Sequence, residues 1–392
     1  MPQEPEEPPE TGPYWPPLPP RQQHRKRRGT GLVVVVVLIA AGIGAAATVI
    51  LETGSSSVPI TSASPGLNST TVTSQVETGI VDILARDTYS GLVSQGTGLV
   101  LSSDGLVLTN NHVISGSTSV QVTAVISGRT YPAQVLGYDS TDDVALLQLT
   151  DASGLRPIAT GNSAGIDVGQ PVLALGNAGG RGGPPTASAG TITAIRQTIS
   201  PTNTATGTTE TLHGIIMTSA QVTDGDSGGA LANAAGQVIG MLTATGTTPG
   251  GNPVGFAIPL NSALRIARLI DARRSTNTVS IGQPGFLGVE VVNSPGSCGE
   301  LGGGQAGGVP GAKICVVYPG TPAAKTGLRA GDVITTTSGQ SIGSARALTT
   351  LTGRLRPGAT LSVSYVDTSG HTHTVRLTLM AGPPQLRSRE HG

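Results

Sequence analysis

The ten residues Val222–Leu231, reading V-T-D-G-D-S-G-G-A-L, constrain this chain more than any other stretch. Glycines on both sides of an Asp-Ser pair call for a tight turn, and the apolar residues around them call for that turn to be packed between buried strands. Gly225 lets the backbone bend so that its own N–H and that of Ser227 can converge on one small pocket. Gly228 and Gly229 leave room for another segment to approach the hydroxyl. A serine held this way suits acyl transfer, provided that a base and an orienting carboxylate lie elsewhere in the chain. On its own, the stretch also reads as a plain glycine turn between two strands.

The search for the base starts from the strands. Aromatic residues make up 2% of the 392, so a core must be built from Val, Ile, Leu and Ala, and short β-branched runs between Gly, Asp and Ser favour an all-β body. Gly79–Ala85, Gly96–Leu101 and Leu106–Thr109 read as strands, the last two joined by the turn S-S-D-G at 102–105. The third runs into T-N-N-H-V, which puts His112 at a strand end, where a side chain projects into a cleft. Of the other histidines, His24 and His391 fall in tails, His371 and His373 near the C-terminus, and His213 in a polar stretch. An acidic turn, G-Y-D-S-T-D-D at 137–143, then runs straight into the apolar V-A-L-L-Q-L. A carboxylate buried there needs a polar partner, and an imidazole N–H is one. Asp139, Asp142 and Asp143 compete for that place; Asp143 abuts the strand and is expected to be buried, with Asp142 the runner-up. The order His112, Asp143, Ser227 is that of the chymotrypsin-like double barrel.

With these elements in place the sequence resembles the HtrA (high-temperature-requirement) serine proteases. The matching segments are G-T-G-L-V-L-S-S-D-G-L-V-L-T-N-N-H-V (96–113), D-D-V-A-L-L-Q-L (142–149), P-V-L-A-L-G-N (171–177), G-D-S-G-G-A-L (225–231), G-Q-V-I-G-M (236–241) and G-F-A-I-P (255–259). The resemblance implies a mainly β fold, a chymotrypsin-like double β-barrel followed by a PDZ-like domain. It implies Asp143 as the third triad member and the turn Gly225, Asp226, Ser227 as the oxyanion hole, with Gly225 and Ser227 giving the N–H groups. It also puts Gln221 at the base of the primary specificity pocket, where an uncharged residue does not call for Lys or Arg at the cleavage site. The family usually carries Asn where this chain has Asp226, which therefore needs a partner of its own or leaves the oxyanion loop unsettled at rest. G-F-L-G-V at 285–289 and G-L-R-A-G-D-V-I at 327–334 resemble a PDZ domain, with Phe286, Leu287, Gly288 and Val289 expected to receive a peptide's C-terminus. Family likeness implies a homotrimer; Tyr89 is the lone candidate for its aromatic contacts.

The expected organisation is a Pro-rich then basic cytoplasmic tail (1–31), a transmembrane helix (32–51), a flexible linker (52–75), the protease domain (76–271), a linker (272–280), the PDZ-like domain (281–381) and a tail (382–392). Leu32–Leu51 is an uncharged run of 20 residues behind the basic cluster Arg21–Arg28, long enough as a helix to span a bilayer, with the N-terminus cytoplasmic. The folded parts then lie outside the cytoplasm. There Cys298 and Cys315, flanking a Gly-rich insertion, favour a disulfide over two free thiols. The formal net charge is zero and no basic stripe interleaves with aromatics, so nucleic acid is not an expected partner. No metal or cofactor is expected, and His371 with His373 reads as an exposed pair on an edge strand. The expected function is a membrane-anchored serine endopeptidase acting on unfolded or damaged polypeptides, with C-terminal peptides bound by the PDZ-like part. The alternative is an envelope chaperone or scaffold in which proteolysis is minor or latent.

Overall fold

The computed structural model describes residues 33–38, 48–51 and 66–384, apart from 90, 181, 204–207, 210, 249 and 299–307. Ile80–Arg86, Val93–Val100, Leu106–Thr109, Val144–Leu149, Thr130–Asp139 and Ser119–Ala124 pair in succession, and Ser119–Ala124 returns to Ile80–Arg86, closing a first barrel. A second closes through Pro171–Gly176, Thr186–Ile199, Leu212–Thr218, Pro253–Pro259, Val238–Thr247 and Ala230–Asn233.

The strands are apolar on both faces because both faces are buried. Side chains alternate along a strand. Val107 and Leu147 therefore fill the first barrel, while their neighbours Leu108 and Leu146 point outward into a second core shared with Leu175 and Phe256 of the other barrel. That shared core fixes the barrels against each other. Helix α3 (Leu260–Asp271) seals it with Ala263, Ile266, Ala267 and Ile270 on one stripe, as their spacing demands.

Two N-terminal expectations are corrected. The helix expected over 32–51 is not formed by the described residues: Val33–Leu38 and Thr48–Leu51 are antiparallel strands, the first also pairing with Val238–Thr247. A run of valines has strong strand preference, and the edge of the second barrel offers free backbone partners. No helix among the described residues is long and apolar enough to cross a membrane. The linker expected to run to residue 75 instead ends in helix α1 (Ser69–Val76). Asn68 caps it by accepting from the Thr71 N–H at 3.0 Å, and Val72 and Val76, one turn apart, are buried in the shared core. The tail of residues 1–31 lies outside the described residues.

After α3 the chain adds Val279–Ile281 to the edge of the first barrel, so the stretch expected as a linker ends as a strand. The PDZ-like half follows. Its sheet runs in the order Val289–Ser294, Gly311–Val317, Val333–Thr337, Thr360–Val366, Thr372–Thr378, with helices α4 (Pro322–Lys325) and α5 (Ala345–Arg354) packed on it. Cys298 and Cys315 are joined in a disulfide that closes the connection between the first two of these strands.

Phe256 is fully buried where the barrels meet. Phe256→Ala is expected to cost about 3–5 kcal/mol. Urea unfolding of the barrel pair would measure it, and a loss under about 1 kcal/mol would show that the shared core does not hold the barrels.

Candidate active site

His112 sits on helix α2 (Asn111–Ile114), one residue pair beyond the strand Leu106–Thr109. Asp143 directly precedes Val144–Leu149 and has a left-handed backbone, φ 53°. That strained turn aims its carboxylate at α2 rather than along the strand. Asp143 Oδ1 accepts the backbone N–H of His112 at 2.9 Å, and Oδ2 lies 2.8 Å from His112 Nδ1. Oδ2 also accepts from Thr243 Oγ1 at 2.7 Å, and Asn110 Nδ2 donates to the Asp143 carbonyl at 3.0 Å. His112 and Asp143 are 3% and 1% exposed, so the pair is shielded from water. Asp142 instead faces Arg265 at 3.8 Å, and Asp139 accepts from the N–H groups of Thr141 and Asp142. His213 is exposed and meets Thr198.

Ser227 comes from the second barrel and shares Thr243 with this pair, since the Thr243 hydroxyl donates to Asp143. Ser227 Oγ donates to the carbonyl of Thr243 at 3.3 Å, while His112 Nε2 has no partner among the described residues. The turn that holds it cannot be built with side chains. Gly225 has φ 93°, and a Cβ there would lie 2.2 Å from the Asn177 carbonyl; Gly228 has φ 86°, and its Cβ would lie 1.9 Å from the Thr97 carbonyl. Thr97, fully buried in the first barrel, fixes the turn. Its N–H donates to the Ser227 carbonyl at 2.8 Å and its hydroxyl to the Gly225 carbonyl at 2.7 Å. With both carbonyls tied back, the N–H groups of Gly225 and Ser227 are left without partners among the described residues. The N–H of Asp226 is not available in this way, since it donates to the Thr223 carbonyl at 3.1 Å.

Asp226 has found the partner that its sequence context left open. Its Oδ2 accepts the Thr223 N–H at 2.8 Å and the Thr223 hydroxyl at 3.1 Å, while Oδ1 is buried without a partner. Burial pushes this carboxyl up to about 6, more than the Thr223 hydrogen bonds pull it down. Gly179 braces the same turn from outside, its N–H donating to the Asp224 carbonyl at 2.5 Å. Gly183 in turn meets the first barrel, its N–H donating to Asp82 Oδ2 at 3.2 Å. Burial lifts Asp82 to about 6 as well, against the pull of that N–H.

The remaining expected residues lie apart. Gln221 is exposed, with its N–H held by Ser188 Oγ at 2.8 Å, so its side chain is not the floor of a closed pocket. Phe286, Leu287, Gly288 and Val289 form the entry to the first PDZ strand. Gly288 has φ 89° and sits so close to Thr321 that a Cβ would lie 2.1 Å away. Tyr89, the candidate for contacts between subunits, is instead used within the chain: its ring stacks on Tyr318 at 4.5 Å and lies 5.7 Å from Phe286. The carbonyl of Pro384 accepts from the Gly116 N–H at 2.8 Å, just past the helix that bears His112. Among the described residues no group of three or more His, Cys, Asp or Glu could hold a metal ion; His373 instead meets Asp367 at 2.7 Å. Thr97 and Thr243 were not singled out from sequence. The signal for Thr97 was its place between two glycines just ahead of the buried Leu99 and Val100.

Asp226→Asn tests the burial of this carboxylate. A folded-state value near 6 against an ordinary 3.8 means that the native state holds the proton more tightly than the unfolded chain. Stability therefore falls as pH rises through that window. The variant is expected to melt higher than the parent at about pH 7.5 and to lose that advantage near pH 4. Scanning calorimetry at both values checks it; an advantage independent of pH would contradict it.

Residues 96–241 match the trypsin-like peptidase domain and residues 285–379 match the PDZ domain. The serine protease PepD of Mycobacterium tuberculosis is 36% identical over 301 residues, 73% of this chain and 60% of that protein. The periplasmic serine endoprotease DegP of Escherichia coli is 33% identical over 273 residues, 69% of this chain and 54% of that protein. The chain thus spans under two thirds of the length of these curated relatives. Among solved structures, the HtrA-type protease AlgW with a tripeptide is 31% identical, covering 80% of this chain and 97% of that chain with a TM-score of 0.45. Two matched domains in this order, together with the identity to these serine proteases, give one conclusion: the chain belongs to the HtrA family of trypsin-like serine proteases.

Proposed function

We propose that the chain is an extracytoplasmic serine endopeptidase that cleaves unfolded or damaged polypeptides. The observation that carries this reading is the Asp143 carboxylate, which receives His112 twice and Thr243 once in a water-excluded junction beside Ser227. His112 Nδ1–H faces Asp143, so Nε2 is left as the basic nitrogen. When a peptide bond enters, the Ser227 hydroxyl leaves the Thr243 carbonyl for His112 Nε2; hydrogen bonds of this kind are often slack before substrate binds. Ser227 Oγ attacks the carbonyl carbon as Nε2 takes its proton, and Asp143 stabilises the imidazolium. The oxyanion is held by the N–H groups of Gly225 and Ser227, which Thr97 has already oriented. Collapse transfers the proton to the leaving amine and leaves an acyl-Ser227 ester. Water, deprotonated by His112, then releases the acid.

The PDZ half is the docking part in this reading. Val289–Ser294 is the end strand of its sheet, next to α5, and the preceding loop has the carbonyls of Leu287 and Gly288 tied to the N–H groups of Ala323 and Tyr318. A C-terminal peptide added to that strand would meet Phe286, which touches Tyr89 of the protease half.

Ser227→Ala is expected to lower cleavage of an unfolded protein by roughly 10⁴-fold or more while leaving binding of a C-terminal peptide intact. Thr243→Val removes one donor to a buried charge and should lower kcat by about tenfold with KM little changed. Steady-state kinetics on casein tests both. Full cleavage by the Ser227 variant would remove the assignment, and loss of peptide binding along with it would make the effect structural.

A further inference from the structure

The PDZ sheet has two ends, and only one is used above. At the other, a cavity of about 740 Å³ opens between helix α4 and the edge strand Thr372–Thr378. That strand pairs with Thr360–Val366 on one side and, among the described residues, with no strand on the other. An edge strand beside a helix is the arrangement into which an extended peptide adds, its main chain pairing with the free N–H and C=O groups.

The lining says what chemistry fits. Lys325 stands on α4 and Arg376 on the strand; both are exposed, and neither is in an ion pair among the described residues. Pro322, the buried Leu377 and Met380 supply apolar surface between them. The charge is regional. The whole chain is formally neutral, yet residues 281–384 hold seven Lys and Arg against four Asp and Glu. An ordinary edge strand is blunted by a single charge. Here a second cation faces the groove from the helix, which makes the groove selective for the opposite sign rather than merely unreceptive.

We propose that this groove is a second peptide site, taking an extended acidic segment in which carboxylates alternate with aliphatic residues. Because side chains alternate along a strand, Arg376 and its neighbour Leu377 face opposite sides, so such a segment turns its carboxylates to the side of Arg376 and its aliphatic groups to the side of Leu377, while Lys325 adds positive charge from α4. It needs no free C-terminus, since no carboxylate-binding loop is involved. The groove also ends at the domain junction: Met380 accepts a hydrogen bond from the Tyr89 hydroxyl at 3.7 Å. An internal segment of a longer polypeptide seated here is thereby held beside the protease half.

The test uses the full chain with Ser227→Ala, so that no peptide is cut. A fluorescent, C-terminally amidated peptide alternating Glu and Val is titrated by anisotropy at low salt, beside a Lys and Val counterpart and a hydrophobic peptide with a free carboxylate. The acidic peptide is expected to bind, the basic one not. Lys325→Glu combined with Arg376→Glu should weaken the acidic peptide by about tenfold or more, and salt should weaken it too. The free-carboxylate peptide should bind the doubly reversed variant as well as the parent, which also shows that variant to be folded. Displacement of the acidic peptide by the free-carboxylate peptide, equal binding of the acidic and basic peptides, or indifference to the charge reversal would each overturn the proposal.

Discussion

A carboxylate removed from water must be met by donors or it gives up its charge, and the placement of the Asp143 side chain organises the rest of this molecule. Its donors come from two sides. His112 and Asp143 belong to the first barrel, while Thr243 belongs to Val238–Thr247 of the second. The carboxylate can be satisfied only when the barrels are docked. Losing one partner of such a buried pair typically costs about 3–5 kcal/mol, so the same three contacts that prepare the chemistry also report correct assembly. The apolar seam of Leu108, Leu146, Leu175 and Phe256 supplies the drive for docking, and the polar contacts set its register.

The glycine turn obeys a second constraint that depends on the first. Ser227 must approach the barrel junction more closely than side chains allow, and Thr97 fills the remaining polar demand by holding the carbonyls of Gly225 and Ser227. Asp226 sits on the opposite side of the same turn with one oxygen satisfied and one orphaned. The turn is therefore anchored through neutral donors from one side and strained by a buried carboxyl on the other. Gly179 donates to the Asp224 carbonyl beside this turn and Gly183 to Asp82 on the first barrel, so groups outside the triad lie about the pocket that would hold the oxyanion.

Much of this was legible in the sequence, for physical reasons that differ from place to place. G-D-S-G-G could be read because the glycines are forced by contacts as close as 1.9 Å. His112 and Asp143 could be read because one stands just past the end of a strand and the other just before the start of one, and a buried charge advertises a partner. The strands Leu106–Thr109 and Val144–Leu149 were bounded by turn residues and match the observed limits. Thr97 and Thr243 were missed since a threonine in a strand is ordinary β composition, and its hydroxyl partner is set by tertiary structure alone. Helix α1 was hidden in Ser, Thr and Gly that read as a loop; two valines one turn apart, Val72 and Val76, carried the signal. Leu32–Leu51 was read by hydropathy, whereas Val33–Leu38 pairs as a strand, since uncharged length says where a segment can be buried and not what pairs with it. Tyr89 was given to a subunit contact, but the aromatics that receive it are Phe286 and Tyr318, some two hundred residues away in sequence and beyond any local pattern.

The central claim is that Ser227 is activated by the buried pair beside it. Fluorophosphonate labelling of the full chain, with the adduct mapped by mass spectrometry, tests this most directly. A single adduct on Ser227 that disappears in His112→Ala is the predicted result. No adduct on a folded sample, or one on Ser227 that persists undiminished without His112, would contradict it.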